Sequence, residues 1–192
     1  MASMFNQLAR ERRSVFPDQF DISKKVDDGI INEIIANAGA APNHGRTEPW
    51  HFTVFTREGL ETFARFQSEL YKEDSGDDFK AAKYQKLVEQ PLKASHIISI
   101  GMKRTLTKNI PEIEDIEAVA CAVQNIYLSV CAYGLGGYWT TGGVTYLEKA
   151  KSFFGLEERD KLLGFFYIAH VAIPSAGRNK KPLEEIVNWV SK

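Results

Sequence analysis

Two cysteines in 192 residues, Cys121 and Cys131, are too few for a disulfide framework or a cysteine-rich zinc site. Both stand in one apolar stretch and read as core thiols, and a reducing cytoplasm is the expected compartment. The four histidines, His44, His51, His96 and His170, are scattered without a partner at a metal-ligand spacing, so no metal is expected. No run reaches the roughly 18 to 20 apolar residues that span a bilayer, and the start "MASMFNQLARERRS" lacks the apolar stretch of a signal peptide. Lys and Arg number 24 against 25 Asp and Glu, and the net charge of −1 gives no global reason to hold nucleic acid or an anionic membrane. Neither the phosphate loop GxxxxGK(S/T) nor a GxSxG nucleophile turn occurs. "GLGGYW" at 134–139 has the glycine density of a dinucleotide loop. It follows a helical pattern, however, and carries Trp139 where a glycine is needed, so it reads as a helix stop.

What is present is the composition of a globular protein, 44% hydrophobic and 26% charged, with length for a core within one domain over 1–192. A helix over 3–14, capped by Ser3, places Met4, Phe5 and Leu8 on one face and crowds Arg10, Arg12 and Arg13 at its end. A second begins around 26–28, with Ile30, Ile31, Ile34, Ile35 and Ala38 at helical spacing, and ends near Gly39. "WHFTVF" alternates as a strand does. A third helix runs from about Glu58 to Glu73, followed by "KEDSGDDFK", the most turn-rich stretch, within an excursion at about 67–90. "HIISIGM" and "LLGFFYIAHV" are short enough and apolar enough for buried strands. Between them lie a long helix over 113–133 whose small residues permit close packing, "YWTT" as a short strand or loop, and a helix from Leu147 to Phe154. The tail "GRNKKPLEEIVNWV" is a basic loop and an amphipathic end. Helices and strands mix without the regular βα alternation of a doubly wound sheet, and there is no internal repeat.

Two polar stretches carry the chemistry. "RERRS" offers planar guanidinium donors, a hydroxyl and backbone N–H groups suited to a phosphate, although the segment taken alone reads first as a solvated basic helix end. "APNHGRTEPWHF" places Asn43, His44 and Arg46 between two prolines and ahead of Trp50, where they can be presented at reduced ordering cost.

"RRS" near the start, "AAPNHGRTEPWHF" after the second helix, "GLGGYWTTG" after the long one and "KKPLEEIV" near the end stand in the order seen in the nitroreductase family. Over nearly its whole length the chain resembles the short, minimal members. The resemblance implies an α+β fold with a central, mostly antiparallel sheet flanked by helices, a homodimer with a long central helix, and one FMN per subunit bound where both chains contribute. NADH or NADPH would supply two electrons through FMN to a nitroaromatic, quinone or similar small-molecule acceptor in a ping-pong cycle. Arg12 and Ser14, with Arg13 between them, match positions that hold the FMN phosphate and ribityl chain. Trp139, Thr140 and Thr141 match the segment lining the flavin, and Lys180, or its neighbours Arg178 and Lys181, the basic position that meets the phosphate. Asn43, His44 and Arg46 would reach across to the partner's flavin, with Arg46 the leading group to offset charge near N1 and O2. No side chain is required as an acid or base. Within the same resemblance, a dehalogenase or a flavin-consuming enzyme, and outside catalysis a flavin-binding or structural dimer, are the alternatives.

Overall fold

A computed structural model describes residues 2–105, 109–177 and 180–191. Its centre is a four-stranded sheet, wholly antiparallel, in the order β1-β2-β4-β3. The strands are β1 (Trp50–Thr56), β2 (His96–Met102), β3 (Gly136–Thr140) and β4 (Lys161–Ala169). The two middle strands are nearly all apolar because both of their faces are covered. Successive side chains point to opposite sides, and two cores result. On one face Ile98, Ile100 and Met102 of β2 and Phe166 and Ile168 of β4 pack on α2 (Asp28–Gly39) and α5 (Glu112–Ala132). On the other, Ile97, Phe165, Tyr167 and Ala169 pack on α3 (Glu58–Ser75) and its neighbours, where Phe63 and Phe165 meet edge to face at 4.8 Å.

Helix ends follow local chemistry. Asp27 caps α2, its carboxylate accepting from Gly29 N at 2.8 Å. α5 stops at Ala132, and Gly134 (φ +66°) supplies the left-handed turn that leads into β3. The stretch 67–90 forms the latter part of α3, a short turn at Gly76–Asp78 and most of α4 (Ala81–Leu92), which lies along α3. Pro91 is tolerated in the last turn of α4.

Several expectations need correction. The first helix, α1, runs Ala2–Glu11, so Ser3 lies inside it and Arg12–Ser14 have left it. The chain is drawn away because Val15 N donates to Gly137 O at 3.1 Å, along the free edge of β3. Cys121 is exposed and Cys131 half-buried, since α5 turns that side away from the sheet. The helix expected at Leu147–Phe154 is a 3₁₀ segment, Glu148–Phe154, and among its described residues the tail holds only a 3₁₀ turn at Leu183–Glu185. Among the described residues no helix is long and apolar enough to cross a membrane.

Candidate functional site

Tyr127 organises one corner of the molecule. It projects from α5 toward the edge strand, and its phenolic oxygen accepts from Trp139 N at 2.8 Å and lies 3.3 Å from Ser14 Oγ. The Arg12 guanidinium rests over the ring, 4.5 Å from its centre. Ser175 donates its hydroxyl to Ser14 O at 2.6 Å, which ties the segment after β4 to the same place. Arg12, Ser14 and Trp139 are thus brought together. Among the described residues no carboxylate pairs with Arg12, so its planar donors stay available to an anion. Arg13 is placed differently: it donates to the carbonyls of Arg10 and Arg12, at 2.6 and 2.9 Å, and covers the end of α1.

Trp139 has no donor to spare. Its indole N–H reaches Leu163 O at 2.8 Å, and its backbone N–H goes to Tyr127. This crossing depends on Gly164 (φ +117°), where a Cβ would fall 2.2 Å from Thr140 O.

On the opposite side of the edge strand lies a cavity of about 370 Å³. Phe16, Leu87 and Phe165 give it apolar walls, and Gln67, Lys86 and Thr140 are among its polar groups. Tyr138 and Tyr167 also line it. Burial pushes the Tyr138 phenol up against the opposing effect of a hydrogen bond with Thr140. Burial pushes that of Tyr167 far above its usual range, with the neighbouring Tyr138 adding to it. Both therefore stay neutral. The buried Gln67 amide donates to Leu87 O at 2.7 Å. Phe16, against Tyr138 at 5.1 Å, lies just beyond Ser14 in the chain and connects the cavity to the arginine corner.

The loop after α2 lies elsewhere. Asn43 Oδ1 accepts from Glu48 N at 3.1 Å, and His44 Nδ1 meets Glu114 Oε2 at 2.5 Å at the start of α5. Asn43 and His44 are thereby engaged within the loop's own surroundings. Arg46 is exposed and, among the described residues, has no carboxylate partner. At about 1.5 Å per residue, Glu114 and Tyr127 stand roughly 20 Å apart along α5, so one chain does not bring this loop to its own arginine corner. Thr141 is exposed just past β3, and Lys180 is exposed on the terminal segment. Gly177 approaches Arg13, which brings the start of that segment to the arginine corner. Arg178 lies outside the described residues.

A model of the Nitroreductase family matches residues 9–170. The chain belongs to the nitroreductase family. It is 32% identical over 138 residues to the Escherichia coli (strain K12) protein named "Putative NAD(P)H nitroreductase YdjA", covering 72% of this chain and 74% of that one. A nitroreductase-like family protein from Bacillus cereus superposes with a TM-score of 0.83 at 24% identity, over 96% of this chain and 95% of its own. The FMN-dependent nitroreductase NfnB from Mycobacterium smegmatis, solved in complex with NADPH, superposes at 0.71 with 18% identity over 99% of both chains. At these identities the solved structures share the nitroreductase fold with this chain.

Within that fold, the expected residues include Thr140 of the cavity lining and omit Phe16, Gln67, Lys86, Gln90 and Tyr138. One signal was available. Gln67 is a polar residue on the apolar stripe of α3, between Phe63 and Tyr71, and a buried amide there calls for a partner.

Proposed function

We propose that the protein is an FMN-dependent NAD(P)H oxidoreductase, acting as a homodimer in which each site draws on both chains. The observation that carries this reading is the arginine corner joined through Phe16 to a cavity with apolar walls, where Lys86 is the cation and Asp18 is already paired with Lys93. The donor set fits FMN. Arg12 and Ser14 would hold the phosphate and ribityl end, with Lys180 of the terminal segment and, by the family resemblance, Arg178 as further cations. The cavity would hold the ring system, with Phe16, Leu87 and Phe165 to exclude water and Thr140, with Thr141 beside it, to offer hydroxyl groups to the polar edge. FMN, when bound, supplies the redox chemistry, taking two electrons from NADH or NADPH and passing them to a nitroaromatic, quinone or similar acceptor in ping-pong order. The protein's share is orientation and charge. Lys86 from within the chain and Arg46 from the partner are the cations that offset negative charge gathering at the pyrimidine edge.

A second copy is called for by two features. The loop and the corner sit at opposite ends of α5, and exposed apolar residues accumulate on α1, α5 and the tail: Phe5, Ile113, Ile186, and Trp189 at 88% exposure. The same reading takes 1–192 as one domain working in the cytoplasm.

The test is the visible spectrum of purified protein before and after anaerobic NADPH, with a flavin spectrum that bleaches as the expected result. Arg46→Ala and Lys86→Met should each lower the two-electron potential of bound FMN, by about 30 mV for every 1.4 kcal/mol of lost stabilisation. Colourless protein that takes up no added FMN would end this reading.

A further inference from the structure

The loop that carries Arg46 is held in a conformation its residues do not favour. Gly45 has φ +62°, but Arg46 (+56°) and Glu48 (+45°) also lie in the left-handed region, where a side chain crowds the backbone. Such a loop keeps its shape only if its surroundings impose it. Asn43 and His44 brace one side, as described. The other side rests on Asp115, in the first turn of α5, which is only 2% exposed.

Asp115 is a buried carboxylate with both oxygens engaged. One meets the Arg104 guanidinium, whose other arm donates to Ile110 O at 2.8 Å. The second lies 3.2 Å from the Thr47 hydroxyl, which also stands 3.3 Å from His44 O. Arg104 is anchored in turn, its backbone N–H donating to Asp160 Oδ1 at 3.0 Å, while Asp160 Oδ2 accepts from Glu157 N at 2.8 Å. The series runs from the start of β4 through Arg104 and Asp115 to Thr47, and every link is polar and at least half-buried. A full ion pair in this place fixes geometry, since removing either partner strands a buried charge.

We infer that Asp115, acting through the Thr47 hydroxyl, is a positioning residue that holds the loop 43–48 in its left-handed form, so that Arg46 is presented already shaped. Its bearing on the flavin rests on the function proposed above; its bearing on the loop does not. A preformed loop meets its ordering cost during folding, and a cofactor or second chain that meets Arg46 does not meet it again.

Thr47→Val removes the hydroxyl at nearly constant volume, Thr47→Ser restores it, and Asp115→Asn keeps the shape while removing the charge. In the full chain as purified, hydrogen exchange across residues 43–49 should quicken by roughly tenfold or more in Thr47→Val and Asp115→Asn, and return in Thr47→Ser. The midpoint potential of bound FMN in Thr47→Val should move in the direction of Arg46→Ala, and the serine variant should recover it. Unchanged exchange in Thr47→Val, or faster exchange that serine fails to reverse, overturns the inference. Quickened and serine-reversible exchange, together with a potential that Arg46→Ala leaves unmoved, upholds the bracing and removes Arg46 from the flavin instead.

Discussion

Replacing Tyr127 by phenylalanine deletes one oxygen and leaves the ring in place. The ring keeps its edge-to-face contact with Phe166, at 4.6 Å, and the Arg12 guanidinium above it. What disappears is the acceptor for Trp139 N–H, at 2.8 Å, and the neighbour of Ser14 Oγ, at 3.3 Å. The amide belongs to a half-buried residue of the edge strand, and the Tyr127 oxygen stands where a further strand would pair. A stranded donor of this kind costs about 1–2 kcal/mol. For a chain of this length that corresponds to a melting point lower by roughly 2–8 °C. Urea unfolding should show the loss in the midpoint with the slope unchanged. Titration with FMN, followed by flavin fluorescence, should show weaker binding, because the Ser14 hydroxyl loses its link to β3 through Tyr127. Tyr127→Leu should cost more in both assays, since it also removes the surface beneath Arg12. A phenylalanine variant within about 0.3 kcal/mol of the parent, with unaltered FMN affinity, would refute the idea that this hydroxyl joins the corner to the edge strand.

Three further outcomes are expected. Arg12→Ala should weaken FMN binding by about 1.5–3 kcal/mol, the worth of a hydrogen bond to a charged group, and equal affinity in titration would return Arg12 to ordinary surface. Gly164→Ala should destabilise by about 2–4 kcal/mol in chemical denaturation, because alanine is strained at φ +117° and its Cβ would fall on Thr140 O; a neutral effect would mean that β3 shifts freely. His96 is 2% exposed, and burial holds its pKa below the ordinary 6.5, with its hydrogen bond to Asp28 Oδ1, at 2.9 Å, acting the other way. Since the unfolded chain takes up this proton first, stability should be complete above about pH 6.5 and fall as pH drops below it, by at most about 1.4 kcal/mol per pH unit, until the folded pKa is passed. His96→Gln should flatten that part of the curve, and a parent whose stability is level from pH 7 to 5 would contradict the assignment.

The parts legible in sequence are those whose burial is uniform along the chain. β2 and β4 are short apolar runs because both faces are covered, and α5 shows helical spacing because one side of it lies on the sheet. β3 was ambiguous for a physical reason. Gly136 and Gly137 carry no pattern, and the strand exists by pairing with the distant β4. Arg12 and Arg13 are good helix formers, so the exit from α1 after Glu11 was hidden, being set by Val15 reaching Gly137 O. Arg12, Ser14 and Trp139, which the fold gathers around Tyr127, stand in motifs whose order along the chain is distinctive. The cavity could not, because Phe16, Gln67, Lys86 and Tyr138 come from four separate segments that only the folded sheet and the α3–α4 pair assemble. Nor does anything local announce positive φ at Arg46 and Glu48, since that conformation is imposed by Asp115 and Asn43.

The spacing along α5 has a genetic consequence. In the homodimer proposed above, with the arginine corner near one end of α5 and the Arg46 loop at the other, damage to either half would be carried by one chain and felt in different sites. A mixed dimer of Arg12→Ala and Arg46→Ala chains would pair the two damaged halves at one site and the two sound halves at the other. Two impaired alleles would then complement when expressed together, yielding up to half the normal number of sound sites per mixed dimer, whereas two alleles altered in the same half would not.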